Sequence, residues 1–118
     1  MIYFIFDLDD TIVIHPPNVK DMYNITPDPC LQNVFYNIYY KTFVFTNGTI
    51  NHAHEILDKM KLYSFKKIFA RDTIPFMKPL MNSFKIVQNN IHNRYTTDKD
   101  IYYFFDDLLE NLQTANQL

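Results

Sequence analysis

The sequence contains one cysteine, one glycine and no tryptophan among its 118 residues. A single cysteine, Cys30, cannot form an internal disulfide, so we expect a reducing, cytoplasmic environment for this chain. We interpret Cys30 as a small, buried hydrophobic side chain, because no neighbouring residue would activate its thiol. No repeat, low-complexity tract or linker interrupts the sequence, which predicts one domain over residues 1–118.

The sequence also lacks an excess of positive charge and a long hydrophobic run. Eleven Lys and Arg against thirteen Asp and Glu give a formal net charge of -2. Because nucleic-acid backbones are bound by clustered positive charge, we expect no strong nucleic-acid footprint. The apolar start at residues 1–6 is too short for a signal peptide or a membrane span, so no membrane partner is expected.

What the sequence does contain is a regular alternation of apolar patterns, with 47% hydrophobic residues overall. Residues 2–6 form an unbroken apolar run, typical of a strand buried on both faces of a parallel sheet, and similar runs occupy residues 42–45, 67–70 and 101–105. Apolar residues with helical spacing lie in residues 28–40, 50–60, 80–91 and 108–115. This alternation predicts an α/β, Rossmann-like three-layer sandwich, with a parallel sheet of about four strands and helices on both faces.

Two prolines indicate where helices begin. Pro29 follows Asp28, and Pro79 follows Lys78. Both are interpreted as the first residue of a helix, where the missing N–H of proline removes no hydrogen bond.

Polar side chains follow three of the four predicted strands. Asp7, Asp9 and Thr11 follow the first strand, Thr46 and Asn47 follow the second, and Asp106 and Asp107 follow the fourth. Ligands bind beyond the carboxyl ends of parallel strands, so we expect these side chains to meet at one edge. Clustered carboxylates repel one another unless a cation lies between them, and oxygen ligands suit Mg²⁺.

Other residues at this edge favour a phosphate group. Lys78 supplies a positive charge, and Thr46 supplies a hydroxyl donor. Backbone N–H groups at the helix that begins near Thr49 add further donors and a favourable dipole. The sequence therefore predicts a site for Mg²⁺ and a phosphorylated substrate.

These motifs, in this order, resemble the four motifs of the haloacid dehalogenase-like (HAD) phosphohydrolases. They are residues 6–11 (Phe-Asp-Leu-Asp-Asp-Thr), 45–47 (Phe-Thr-Asn), 78–79 (Lys-Pro) and 105–107 (Phe-Asp-Asp). Within that superfamily, several further positions are similar to the pyrimidine 5'-nucleotidase branch. They are Gly48, His52, Ala53, Leu57, Asn111, Leu112 and Ala115.

The resemblance implies a catalytic role for two of the acids. Asp7 would be the nucleophile that forms an aspartyl-phosphate. Asp9 would be the general acid for the leaving group and then the general base for water. The carboxylates of Asp7 and Asp107, with the backbone carbonyl of Asp9, would hold Mg²⁺. Dehalogenase members lack the second acid, so Asp9 favours phosphate chemistry.

The resemblance also implies supporting roles for five residues. Lys78 would offset the repulsion between the nucleophile and the phosphate, while Thr46 and the backbone N–H of Asn47 would hold phosphate oxygens. Asp106 would orient Lys78 or a metal-bound water from the second layer of the site. Thr11 would brace the first loop.

The spacing of the motifs leaves no room for the cap domain that many HAD relatives insert. The stretch between Thr11 and Thr46 is short and includes the predicted helix at 28–40, and only a short segment separates Ala70 from Lys78. The pyrimidine nucleotidases carry such a cap, so this departure leaves two substrate classes open. They are small molecules such as nucleotides, and a phosphate on a protein or a polynucleotide end. The loop at 12–27 is the candidate flap, and a monomer and a homo-oligomer remain alternatives.

Three histidines receive plain interpretations. His52 and His54 are two residues apart and cannot form an i, i+4 metal pair, so we expect them to be solvated or to cap the helix. His15 is a candidate contact for a leaving group.

Two other classes of protein use a similar set of residues. Receiver domains combine acids, Thr and Lys-Pro, but there the phosphorylated Asp follows a middle strand and Lys-Pro follows the last one. The middle strand here ends at Phe45-Thr46 and Lys78-Pro79 precedes the last strand, which excludes that class. A catalytically silent phosphate-binding module remains the alternative from a different class.

Overall fold

Strands and helices alternate along the chain, as the apolar pattern predicts. The computed structural model describes residues 1–17, 21–92 and 100–118. In chain order, the elements are β1 (Ile2–Phe6), α1 (Pro29–Tyr36), β2 (Lys41–Phe45), α2 (Ile50–Met60), β3 (Lys67–Phe69), α3 (Met81–Ile91), β4 (Ile101–Phe105) and α4 (Leu109–Asn116). All three strand pairs are parallel, and the strand order is β3-β2-β1-β4. The predicted α/β fold with four parallel strands is confirmed.

Two apolar clusters cover opposite faces of the sheet. Val44 of β2 packs in one cluster with Phe35 of α1 and Ile56 of α2. Its neighbour Phe45 packs in the other cluster with Phe84 of α3, and α4 packs at the margin of that cluster. Because successive strand residues point to opposite faces, α1 and α2 cover one face while α3 and α4 cover the other. This is the predicted arrangement of three layers.

The two prolines differ in what they mark. Pro29 is the first residue of α1, and the Asp28 carboxylate caps the helix by accepting the N–H groups of Cys30 and Leu31 at 3.0 and 3.2 Å. The prediction for Pro79 is wrong, because α3 begins at Met81 and Pro79 follows a cis peptide bond in the loop before it.

The prediction that Cys30 is buried is also wrong, since its side chain is exposed. Cys30 lies in the first turn of α1, and Phe35 is the one fully buried residue of this short helix. None of the helices in the described part of the chain is long and apolar enough to cross a membrane.

The apolar run at β4 predicts a strand that is buried on both faces, but one face of β4 is partly exposed. Ile101, Tyr103 and Phe105 are 47%, 48% and 40% exposed, whereas Tyr102 and Phe104 pack against the α3 cluster. β4 is an edge strand, and nothing in the described ranges of the chain covers this face. Only β2, which lies inside the sheet, has four consecutive buried residues.

Candidate functional site

Two neighbouring strands bring Asp7 and Asp106 to the same edge of the sheet. The last residues of β1 and β4, Phe6 and Phe105, are paired in register. The N–H of Asp7 donates to the carbonyl of Phe105 at 2.8 Å, which extends the ladder by one step. Asp7 and Asp106, the first residues after β1 and β4, therefore lie side by side at this edge of the sheet. Asp107 follows Asp106 in the sequence.

Lys78 lies between these acids with its ammonium group buried. Its Nζ donates to Oδ1 of Asp7 at 2.9 Å, to Oδ2 of Asp106 at 2.8 Å and to the carbonyl of Phe45 at 2.8 Å. These three acceptors use all three N–H bonds of the ammonium group. We call Lys78, Asp7, Asp106 and Asp107 the lysine cluster.

The backbone of Lys78 is held in place by the side chain of Asn47. The N–H of Lys78 donates to Oδ1 of Asn47 at 2.9 Å, and Nδ2 of Asn47 donates to the carbonyl of Lys78 at 3.0 Å. The amide group of Asn47 thus joins the loop after β2 to the loop before α3. Its backbone N–H is the group that the sequence resemblance assigns to phosphate.

Asp106 is fully buried and has its own set of donors. Besides Lys78, it accepts a hydrogen bond from Nδ2 of Asn111 at 3.0 Å and from the N–H of Leu108 at 2.9 Å. Asn111 lies on α4, so Asp106 links β4, α4 and Lys78. One of its donors is thus Lys78, the residue that Asp106 is predicted to orient.

The surroundings of Asp7 in the lysine cluster disfavour its charged form. Burial raises the pKa of Asp7 from 3.8 to about 6, although Lys78 acts in the opposite direction. Asp106 and Asp107 raise it further by repulsion and by sharing a hydrogen bond. Thr11 Oγ1 donates to Oδ2 of Asp7 at 3.2 Å, as expected for a residue that braces the first loop.

The lysine cluster contains carboxylate oxygens, the type of ligand that hard divalent cations prefer. Carboxylate oxygens of Asp7, Asp106 and Asp107 all lie within 4.8 Å of one another. Three carboxylates against one ammonium leave a negative excess, which a hard cation bound by oxygen ligands would neutralise. The carboxylate of Asp9 is not part of this group, so only its backbone carbonyl is a candidate ligand, as the resemblance implies.

The turn after β2 offers fewer free donors than the sequence suggests. The N–H of Gly48 donates to Oγ1 of Thr46 at 3.0 Å, and the N–H of His52 donates to Oγ1 of Thr49 at 3.2 Å. The N–H of Ile50 is taken by the Asp72 carboxylate at 2.8 Å. The expectation of open donors at the start of α2 is therefore wrong for these groups. The Thr46 hydroxyl and the Asn47 N–H, which has no partner among the described residues, remain for an anion.

Most of the predicted site residues line one open cleft of about 290 Å³, whereas Thr11 and Asp106 line a neighbouring depression. The lining of the cleft consists of Asp7, Asp9, Asp10, Thr46, Asn47, Gly48, Lys78, Asp107, Leu108 and Asn111. A larger depression of about 530 Å³ lies beside α2 and β3 and contains none of these residues. The chemistry of the side chains, and not the size of the depression, therefore identifies the candidate site.

Asp9 lies in a separate environment that the sequence does not predict. Its Oδ1 is 2.6 Å from Nε2 of His15, and both of its oxygens are 3.0 Å from Nε2 of His52. Nδ1 of His52 is 2.8 Å from the hydroxyl of Tyr23. We call Tyr23, His52, Asp9 and His15 the histidine chain. Residues 18–20 of the loop that supplies His15 and Tyr23 lie outside the described residues.

His52 is thus neither solvated nor a helix cap, and the prediction for it is wrong. Its side chain is 12% exposed and faces the loop between β1 and α1. His54, by contrast, is exposed as expected. One signal in the sequence does bear on His52: the only glycine, Gly48, lies one turn before it. A Cβ on Gly48 would come within 2.8 Å of Cδ2 of the His52 ring.

No known family model matches the chain, and no curated protein matches it in sequence.

Proposed function

We propose that the protein is a Mg²⁺-dependent phosphomonoester hydrolase of the HAD type, which acts through an aspartyl-phosphate. The observation that carries this proposal is the lysine cluster beside the Thr46 turn. There a buried ammonium is 2.9 Å from Asp7 and 2.8 Å from Asp106, with Asp107 adjacent. This arrangement joins a nucleophile, a fixed positive charge and candidate metal ligands in one cleft.

Each residue then has a definite task. Asp7 attacks phosphorus while Lys78 reduces the repulsion between the carboxylate and the phosphate oxygens. The Thr46 hydroxyl and the Asn47 N–H hold the other phosphate oxygens. The carboxylates of Asp7 and Asp107 and the carbonyl of Asp9 would hold Mg²⁺, which would supply charge neutralisation at the phosphate. Asp106 keeps the ammonium of Lys78 in position.

Asp9 carries the proton transfers. As the P–O bond breaks, protonated Asp9 gives its proton to the departing alkoxide and becomes a carboxylate. The carboxylate then accepts a proton from the water that attacks the aspartyl-phosphate, which releases inorganic phosphate and restores Asp7. The placement of the Asp9 carboxylate outside the lysine cluster supports this role, since a carboxylate bound to a metal cannot serve as an acid.

The open cleft supports a site without a cap. Its substrate is either a small phosphate ester, such as a nucleotide, or a phosphate on a protein or a polynucleotide end. Nucleotides, sugar phosphates, phosphopeptides and 3'-phosphorylated oligonucleotides, assayed side by side, separate these classes. Turnover of free nucleotides favours the nucleotidase resemblance, and turnover of only the large substrates favours the open site.

The proposal is tested by phosphate release from 4-nitrophenyl phosphate with Mg²⁺ present. We expect Asp7→Asn to abolish release, because the amide is not a nucleophile, and EDTA to abolish it reversibly. Asp58→Asn is the matched control, since this exposed carboxylate lies on α2 away from the cleft. Full activity of Asp7→Asn would contradict the mechanism. Binding of phosphate esters without release would favour the silent binding module instead.

A further inference from the structure

The two carboxylate oxygens of Asp9 have different hydrogen-bond partners within the histidine chain. Oδ1 is approached by both imidazoles, at 2.6 Å from His15 and 3.0 Å from His52, whereas Oδ2 has only the shared contact with His52. Oδ1 is therefore the anchored oxygen. Oδ2 is the oxygen that remains available to carry and transfer a proton.

The direction of the hydrogen bonds follows from the chemistry of the partners. After Asp9 has given its proton to the leaving group, its carboxylate can only accept, so in this state Nε2 of His52 carries the hydrogen that it donates to Asp9. In neutral imidazole the other nitrogen is then an acceptor, and Nδ1 of His52 accepts from the Tyr23 hydroxyl at 2.8 Å. The contacts of His52 with Asp9 and with Tyr23 thus each have one donor and one acceptor, with His52 in a single tautomer.

Three further contacts hold the histidine chain in place. Lys59 of α2 donates to the carbonyl of Tyr23 at 2.8 Å, and its ammonium lies 5.5 Å from the centre of the Tyr23 ring. Oδ1 of Asp10 accepts the backbone N–H of His15 at 3.1 Å. The missing side chain of Gly48 leaves the space that the His52 ring fills. The loop after β1 and the helix α2 are therefore joined through Asp9.

We propose that His52, His15 and Tyr23 are positioning residues, which hold the Asp9 carboxyl group in the orientation that delivers its proton to the leaving group. This inference rests on the proposed phosphatase activity and extends it to the substrate. Proton delivery matters most when the leaving group is a basic alkoxide and least when it is a stabilised nitrophenolate. The histidine chain therefore suits the enzyme to alkyl phosphate esters.

The test compares the kcat for glycerol 2-phosphate with the kcat for 4-nitrophenyl phosphate. We expect His52→Leu to lower the kcat for the alkyl ester by about 10- to 100-fold, the loss expected when a catalytic group is misplaced. The kcat for the aryl ester should change less than about threefold, and KM should change little for either ester, because phosphate binding uses other residues. His52→Gln, whose amide nitrogen replaces Nε2 as a donor, should restore part of the alkyl activity.

His54→Leu is the matched control, because it makes the same change on the exposed side of the same helix and should alter neither kcat. Tyr23→Phe removes one hydroxyl without removing the ring, so it keeps the test valid even where His52→Leu folds poorly. It should lower the ratio of alkyl to aryl kcat in the same direction by a smaller factor. An equal loss on both esters, or no change in the ratio, would overturn the proposal.

A second readout does not depend on activity. The ¹⁵N chemical shifts of the His52 ring, measured where the imidazole is neutral, should report hydrogen on Nε2 and an acceptor at Nδ1. Tyr23→Phe should move the Nδ1 signal. Hydrogen on Nδ1 would contradict the hydrogen bonds that are assigned to His52 in the histidine chain. If the wild-type protein releases phosphate from neither ester, the proposed function fails, whereas an active enzyme with an unchanged ester ratio overturns only this inference.

Discussion

Asp7 and Asp9 are two residues apart in sequence but lie in opposite kinds of surroundings. Asp7 belongs to the lysine cluster, where its carboxyl group is buried with the ammonium of Lys78 and the carboxyl group of Asp106, and the carboxyl groups outnumber the ammonium. Asp9 belongs to the histidine chain, where its side chain is 33% exposed and its partners are imidazoles. Strand ends build the first environment, and a loop and a helix build the second. Two carboxylates in different environments can perform different chemistry, one as a nucleophile and the other as an acid.

Replacing Lys78 with Met should break the lysine cluster and leave the histidine chain intact. We expect a loss of about 3–5 kcal/mol in the free energy of unfolding, because two buried carboxylates lose their only ammonium partner. Phosphate release should disappear as well. Urea unfolding without Mg²⁺ measures the loss, and Lys85→Met is the control because Lys85 is exposed on α3. Equal stability of the two variants would show that Lys78 does not balance the cluster.

The pH dependence of stability should report on the lysine cluster, because the pKa of the Asp7 carboxyl group is raised to about 6. Since the pKa of Asp7 is higher in the folded protein than its ordinary 3.8, its neutral form favours folding. This stabilisation is complete below about pH 4 and is lost as the pH rises through about 6. The wild-type protein without metal should therefore lose about 2–3 kcal/mol over this range relative to Asp7→Asn.

Thermal unfolding of both proteins at several pH values, with and without Mg²⁺, measures this difference. Mg²⁺ should raise the Tm of the wild-type protein mainly above pH 6, where Asp7 is ionised, and should raise the Tm of Asp7→Asn much less. Parallel pH profiles for the two proteins would mean that Asp7 ionises as an ordinary aspartate.

The smallest expected effect is that of Gly48→Ala, which tests the histidine chain from outside it. The new methyl group would lie 2.8 Å from the His52 ring, so the ring must shift. We expect a stability loss of about 1–2 kcal/mol, typical of an added methyl group in a packed site. The kcat for an alkyl phosphate should fall more than the kcat for an aryl phosphate. A crystal structure of the variant with His52 unmoved and the ester ratio unchanged would contradict this account.

Local patterns in the sequence predict most of the fold. The apolar runs give the positions of β1 to β4, and Asp28-Pro29 gives the start of α1 because capping depends on residues adjacent in the chain. Pro79 and Cys30 are mispredicted because their surroundings depend on distant residues. The Lys78 backbone is fixed by the Asn47 amide, and Cys30 begins a helix with little buried surface.

The residues of the candidate site also divide into those that local patterns predict and those that depend on distant contacts. Parallel strands end at a common edge, so the approach of Asp7, Asp106 and Asp107 follows from their positions directly after β1 and β4. The contact of His52 with Asp9 could not be predicted from positions in the sequence. Asp9 is 43 residues away from His52, and whether they meet depends on the path of the loop that carries His15 and Tyr23.

The sequence alone thus determined the order of strands and helices and the set of acids at the carboxyl edge, because both follow from periodicity and from the geometry of parallel sheets. Only the tertiary structure decided the burial and the hydrogen-bond partners of each acid. Burial raises the pKa of Asp7, while packing of α2 against the first loop brings His52 to Asp9 beside His15 of the loop itself. Hydrogen bonds act over about 3 Å, and that proximity is set by how distant segments pack.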